Sequence, residues 1–196
     1  MIRLLVVDDH SQTRIEIIRQ LTEEGLIKVV AEADTSDSAL KLCEKLLPDV
    51  VLLDLYLPGL IATRALTKRL TSLRNVKVIA FASDAKAANV HDFIEAGASA
   101  YVLKSDPPAL VKMAILMVFK GSRQIFSPAL PKELTRITQA DTVLLRELAK
   151  RGGVSKAAAR LDINQEKLTV ALEDLKNRLE LADLQGLTKW ARKNGF

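Results

Sequence analysis

The chain reads as an α/β protein, a doubly wound five-stranded parallel sheet followed by an all-helical region. Three observations lead there. Short apolar runs alternate with amphipathic stretches as far as residue 120. Those runs lack polar alternation, as strands covered on both faces do. After Gly121 the strand signal stops and only helical periodicity continues.

The elements follow in order. Ile2–Val7, Val29–Ala33, Val50–Leu53, Val76–Phe81 and Ala100–Leu103 are the expected strands, and 11–24, 36–47, 60–73, 84–96 and 107–119 the helices between them. Ser36 and Asp84 are placed as N-caps because their side-chain oxygens can accept from the free amides of a first turn, and Gly97 as a helix stop. Pro58-Gly59 marks a sharp turn after the third strand. Ser127-Pro128 and Pro131 break the chain into a linker, with one helix in it, and from Ala140 the pattern is helical to the end. The resulting division is 1–120, a linker 121–136, and 137–196.

Composition narrows the class. With 196 residues, 48% hydrophobic, the chain can bury one core of ordinary size or two small ones. Arg3, Lys45, Asp54, Lys104 and Lys112 interrupt or bound the apolar runs, so none reaches the roughly 20 residues that span a bilayer. The start enters a strand at once, where a signal peptide would stay apolar and finish in small residues. The single Cys43 excludes an internal disulfide and fits a reducing cytoplasm, the expected location. Residues 1–120 hold 15 Lys and Arg against 15 Asp and Glu, whereas residues 121–196 hold 14 against 9. A neutral front and a basic back suggest two units with different partners, the basic one a candidate for nucleic acid.

Two adjacent carboxylates, Asp8 and Asp9, end the first apolar run, and Asp54 ends the third. If those runs are neighbouring parallel strands, the three acids converge at the carboxyl edge of the sheet, where ligands of open α/β sheets collect. Clustered carboxylates repel unless a cation sits among them, and Mg²⁺ prefers a few carboxylates with water and phosphate oxygens. A cation-loaded phosphoryl-transfer site is the chemistry this pattern predicts.

Asp8-Asp9 after strand one, Leu-Leu-Asp54-Leu-Tyr-Leu-Pro58-Gly59 after strand three, and Tyr101-Val-Leu-Lys104 on strand five resemble the receiver domain of two-component response regulators over about the first 120 residues. The resemblance implies a CheY-like fold in which Asp54 accepts a phosphoryl group from a histidine kinase. Asp8, Asp9 and Asp54 would hold Mg²⁺, and Lys104 would contact the phosphoryl oxygen. Pro58-Gly59 would leave the Tyr56 carbonyl able to join the metal shell. A carboxylate is a poor nucleophile until it is aligned with a phosphorus whose charge is neutralised, which a metal and an ammonium supply. One position departs from the family. Receivers carry Ser or Thr at the end of strand four, and counting back from Lys104 places Ala82 there, with Ser83 one residue on. The switch hydroxyl is therefore expected to be missing, while Tyr101, its aromatic partner, is present. His10, next to the acidic pair, is expected to take a loop or helix-entry role rather than to act as a metal ligand or proton carrier, and His91 to face solvent.

The last 60 residues carry a second resemblance. Ile137-Thr138, Leu144 to Ala149, Gly152, Ser155 to Leu161, Ile163 and Lys176-Asn177-Arg178-Leu179 look like the LuxR-type helix-turn-helix of NarL/FixJ regulators, and Leu187 to Gly195 fits their final helix. Ala158 and Leu161 would pack the first helix of the motif, Asp162-Ile163-Asn164 would form the turn, and Gln165 to Leu179 would be the recognition helix. On that resemblance the candidate DNA contacts are Lys156, Arg160, Lys167, Thr169, Val170, Glu173, Lys176 and Asn177. Leu168, Leu172, Leu175 and Leu179 form one stripe of this helix, which leaves Glu166, Val170, Glu173 and Asn177 opposite and Asp174 beside them. The outward face is acidic, so phosphate attraction has to come from flanking cations. The functional reading is a phosphorylation-linked transcription regulator with a histidine kinase and DNA as partners and no membrane. Homodimerisation is compatible with it. The alternative keeps the receiver and makes the C-terminal unit a protein-interaction or dimerisation module. An enzyme with an aspartyl-phosphate intermediate is not expected, because the position two residues after Asp54 is Tyr56 rather than an acid/base carboxylate.

Overall fold

A computed structural model describes residues 1–134 and 136–196. Residues 1–85 with 92–129 form one compact unit, and residues 86–91 with 130–196 a second.

The first unit is built on six parallel strands in the order β2-β1-β3-β4-β5-β6. They are β1 (Ile2–Val7), β2 (Ile27–Ala33), β3 (Val50–Asp54), β4 (Lys77–Ala82), β5 (Ala100–Leu103) and β6 (Ile125–Phe126). Between them in the chain run α1 (Ser11–Thr22), α2 (Ser36–Leu46), α3 (Thr63–Ser72), α4 (Ala87–Glu95, of which residues 92–95 belong to this unit) and α5 (Pro108–Phe119). Strand alternation divides the core in two. Leu4, Val6, Val50, Leu52, Ile79, Phe81 and Val102 pack with Ile17 and Leu21 of α1 and with Val111, Ile115 and Val118 of α5. Leu5, Val7, Val51, Leu53 and Val78 pack on the other face with Ala39, Cys43, Leu66 and Leu70 of α2 and α3. Every residue of β3 and β5 is buried, which is why those runs show no polar alternation.

The structure corrects the sequence reading at several points. The sheet has six strands rather than five, because residues 125 and 126, within the expected linker, pair with Ala100 and Tyr101. Two residues are too short a run to produce a period, so only the free edge of β5 selects them. The rest of the linker contains a 3-10 turn, Lys132–Arg136. β2 begins at Ile27, two residues early, since the exposed Lys28 hid its start. The cap of α2 is Thr35 rather than Ser36, for Thr35 and Ser38 exchange reciprocal bonds. α4 starts at Ala87, three residues after Asp84, and the Asp84 carboxylate takes the Tyr56 hydroxyl at 2.6 Å. His91 is half-buried on α4 rather than solvent-facing. Gly97 does end that helix, at φ +103, with its amide on Ile94 and the next amide on Phe93.

The second unit carries α6 (Gln139–Ala149), α7 (Gly153–Leu161), α8 (Gln165–Arg178) and α9 (Leu184–Lys193). Its core is Leu145, Leu148, Ala157, Ala158, Leu168, Leu172, Leu175, Leu187 and Ala191. Between α7 and α8 Asp162 adopts the left-handed conformation (φ 53, ψ 44), the Ile163 amide returns to Ala158, and Asn164 caps α8 through the Glu166 amide. Asp tolerates that conformation better than a β-branched residue, so the chain reverses here without a glycine. The segment has the form of a helix-turn-helix. Trp190 is half-buried and stacks on Phe196 with ring centroids 6.2 Å apart.

Candidate functional site

Strand parity assembles the site. Val6, Leu52 and Val102 share one face of the sheet, and a period of two brings Asp8, Asp54 and Lys104 to that same face at the carboxyl edge. Val7 pairs with Leu53, so Asp8 and Asp54 emerge side by side from neighbouring strands. The strand order reverses between β1 and β3, which is the switch point where such sheets bind ligands.

Asp8 is fully buried and Asp54 nearly so. The Lys104 Nζ lies 2.7 Å from Asp8 Oδ2 and 2.8 Å from Asp54 Oδ2, offsetting the repulsion of two carboxylates that neither water nor distance screens. Burial works against the Lys104 ammonium, but the hydrogen bonds and charge of Asp54 and Asp8 outweigh it and hold its pKa above the ordinary lysine value. The Asp54 Oδ1 accepts only a long bond, 3.3 Å, from the Tyr56 amide. Asp8 Oδ1 accepts the His10 amide at 2.9 Å, and Asp9 Oδ1 sits 2.6 Å from His10 Nδ1.

Two further residues join this site, His10, expected only in a loop or helix-entry role, and Arg14. His10 precedes α1, as expected, but its ring also closes on Asp9. Arg14, one helical turn on, donates to the Asp8 carbonyl at 2.5 Å and to Glu32 at 2.9 Å, tying the acidic loop to α1 and β2. The spacing of four from His10 was the available signal. On the other side, the loop after β3 is pinned to the start of α2. The Ser36 amide donates to Pro58, the Leu60 amide to Asp37 and the Ile61 amide to Ser36 Oγ. Gly59 has φ +133, and a Cβ there would lie 2.1 Å from Ser36 Oγ, so only glycine lets this loop close beside Asp54.

Ala82 is the last residue of β4 and fully buried, while Ser83 is exposed. The Lys104 amide donates to the Ala82 carbonyl at 2.7 Å. Tyr101 is fully buried, and its hydroxyl donates to the Asp84 carbonyl at 3.0 Å. Burial, with the charge of Asp84 and the neighbouring Tyr56, pushes the Tyr101 phenol far up.

In the second unit Leu168, Leu172, Leu175 and Leu179 are buried, and Glu166, Val170, Asp174 and Asn177 are exposed. The acidity of this face is largely paired within the unit: Lys176 lies 2.5 Å from Glu173, and Arg178 2.9 Å from Asp174. Of the candidate DNA contacts, Lys176 and Arg160 each have a carboxylate partner. Arg160 and Lys150 both bind Glu147, and Arg192 donates to the Ala149 carbonyl. Arg178 also forms a two-pronged pair with Asp141. Arg151, Lys156, Lys167, Lys189 and Lys193 are exposed and have no carboxylate partner among the described residues. Thr169 returns its hydroxyl to the Gln165 carbonyl.

Residues 4–115 match the response regulator receiver domain. This chain belongs to the response regulator family. It is 38% identical over 134 residues to the response regulator GacA of Pseudomonas viridiflava, a match covering 68% of this chain and 62% of GacA. The chain therefore spans less than two thirds of the length of that relative. The transcriptional regulatory protein LiaR of Bacillus subtilis is 27% identical over 208 residues, covering 99% of this chain and 98% of LiaR. Among solved structures, RcsB from Salmonella enterica serovar Typhimurium, bound to promoter rprA in the presence of the phosphomimetic BeF3-, is similar in fold. It has a TM-score of 0.64 and 18% identity, over 97% of this chain and 98% of RcsB.

In this receiver the ligating atoms of Asp8, Asp9, His10 and Asp54 lie within 4.8 Å of one another. One ammonium against three carboxylates leaves the pocket negative, and its donors are mostly hard carboxylate oxygens. The residues fit a hard divalent cation. Among the described residues no helix of this response regulator is long and apolar enough to cross a membrane.

Proposed function

We propose that the chain is a phosphorylation-linked transcription regulator of the cytoplasm, in which Asp54 takes a phosphoryl group from a histidine kinase and the C-terminal helix-turn-helix binds DNA. The observation that carries the reading is Lys104, its ammonium shared between Asp8 and Asp54 at the switch point of the sheet. Asp54 Oδ1, the more weakly held oxygen, attacks the phosphorus. The O–P bond forms as the P–N bond of the phosphohistidine breaks, and the imidazole leaves with that electron pair. Lys104 then trades its Asp54 oxygen for a phosphoryl oxygen. Asp8, Asp9, Asp54 and the Tyr56 carbonyl would hold Mg²⁺, which when bound neutralises phosphoryl charge. Tyr56 stands where an acid/base carboxylate would be needed for turnover, which supports a phosphoacceptor rather than an enzyme.

The test is binding of the full chain to genomic fragments with a non-specific competitor at two salt concentrations. With five exposed, unpaired cations as the main phosphate contacts, affinity is expected to fall roughly 10²- to 10³-fold between about 50 and 200 mM salt while competitor-resistant binding persists. Weak binding that the competitor removes would favour the second reading, a protein-docking α8. The exposed Glu166 and the 70%-exposed Val170 on that helix support this alternative.

Ala82 predicts weak coupling between phosphorylation and assembly. Ala82→Thr, which restores a hydroxyl beside Lys104, is expected to increase the dimer fraction of the phosphorylated protein in sedimentation velocity and leave the unphosphorylated protein unchanged. Identical profiles for wild type and variant in both states would count against a lost switch.

A further inference from the structure

The turn that carries Lys104 is held by a buried carboxylate that has no part in the pocket itself. Leu103, Lys104, Ser105 and Asp106 form a tight turn at the end of β5, closed by the Asp106 amide on the Leu103 carbonyl at 3.0 Å. The Asp106 side chain closes it a second time, its Oδ2 accepting the Leu103 amide at 2.8 Å. Its other oxygen, Oδ1, accepts the Ser127 hydroxyl at 2.7 Å. Both side chains are almost fully buried, Asp106 at 8% exposure and Ser127 at 4%. A carboxylate in that setting persists only while its oxygens are satisfied.

Ser127 is fixed in turn by the strand that pattern reading missed. Its amide donates to the Tyr101 carbonyl at 2.9 Å, the Ile125 amide to Ser99 at 3.2 Å, and its hydroxyl oxygen accepts the Ala129 amide at 3.2 Å. The chain after α5 therefore runs along β5 and ends on the carboxylate that shapes the Lys104 turn.

We propose that Asp106 and Ser127 are positioning residues for Lys104, so that residues 125–129 belong to the phosphoryl-acceptor machinery rather than to a passive linker. Neither residue touches the phosphoryl group. Asp106 fixes the backbone from which the lysine reaches Asp8 and Asp54, and Ser127 keeps Asp106 in place. A small displacement of a charge-stabilising group is costly because its effect depends on preorganised geometry. A receiver cut at residue 120 would lack the Ser127 donor. The inference rests on the role given to Lys104 above, and the test separates the two.

The experiment is a double-mutant cycle in the full chain, with acetyl phosphate and Mg²⁺ as the probe and phosphate on Asp54 read on a phosphate-affinity gel. Lys104→Ala is expected to slow acquisition at least about tenfold, and Ser127→Ala about fivefold. Ser127→Thr, which keeps the hydroxyl, should restore the rate to within about twofold of wild type. In the Lys104→Ala background Ser127→Ala should have no further effect, an outcome that a general loss of stability does not produce. An equal effect of Ser127→Ala in both backgrounds, or none with Lys104 present, overturns the positioning role and leaves Lys104 intact. No effect of Lys104→Ala overturns the role of the lysine and this inference with it. Should Ser127→Ala fail to fold by circular dichroism, Asp106→Asn, which keeps the shape and one acceptor, carries the same cycle and the same criteria.

Discussion

Asp54→Asn is expected to abolish acquisition of phosphate from a small phosphodonor in the presence of Mg²⁺, a loss of at least about 10³-fold, because a neutral amide offers no nucleophilic oxygen at the position the pocket presents. Asparagine keeps the shape and one acceptor oxygen, which can serve either the Tyr56 amide or Lys104, the two donors that Asp54 meets with separate oxygens. The substitution also removes one of two carboxylates that share a single ammonium. The thermal midpoint of the sheet unit should therefore stay level or rise, since relieving like charge in a buried pocket stabilises. That pairing of outcomes separates chemistry from folding. Phosphate still appearing on the variant would refute Asp54 as acceptor, and a collapse of the midpoint would mean that its charge is structural.

Asp141→Ala is expected to lower the stability of the C-terminal unit by about 2 kcal/mol, summing a lost cap and a lost, partly screened ion pair. Asp141 completes the capping box at the start of α6, accepting the Thr138 amide and hydroxyl at 2.7 Å each. The same carboxylate receives both arms of Arg178 at 2.8 and 2.9 Å, which staples the end of α8 to α6. Trp190 is the only tryptophan and lies in this unit, so its fluorescence during urea unfolding reads the effect directly. The pH dependence has a definite sign. Burial alone would raise the Asp141 carboxyl, but hydrogen bonds from Arg178 and Thr138, with the guanidinium charge, outweigh it and hold the pKa below the ordinary range. A depressed folded-state value means that the contribution is complete above the unfolded pKa of about 4 and is lost as pH falls through the folded value. Wild type and Asp141→Asn should thus differ by a constant amount near neutrality and converge as the pH is taken below about 4. A gap that stays constant through that window would show that the carboxylate charge contributes nothing. If Arg178 holds α8 in this way, it is unavailable to phosphate, and its replacement should weaken DNA binding only through loss of fold.

The acidic pocket was legible in the sequence because it obeys strand periodicity. Asp8, Asp54 and Lys104 each end an unbroken apolar run, and parallel strands with a period of two carry such residues to one edge and one face. The turn of the helix-turn-helix was legible for a similar reason, since Asp162-Ile163-Asn164 interrupts two strongly periodic stretches. The missing hydroxyl at Ala82 needed only a count back from Lys104, and the strand ends at that residue. What the sequence by itself determined, then, is whatever follows from local period and from which residue closes each run. Partners chosen across the chain were left to tertiary structure. β6 is two residues long and exists because β5 offers a free edge. The Asp84 carboxylate takes the hydroxyl of Tyr56, 28 residues away. Arg160 and Arg178 pair with Glu147 and Asp141, partners that the helical period does not announce. Ser127 reads as part of a proline-marked break and instead satisfies Asp106. A buried edge or polar group takes whichever partner lies within hydrogen-bond reach in three dimensions, and that proximity has no period along the chain.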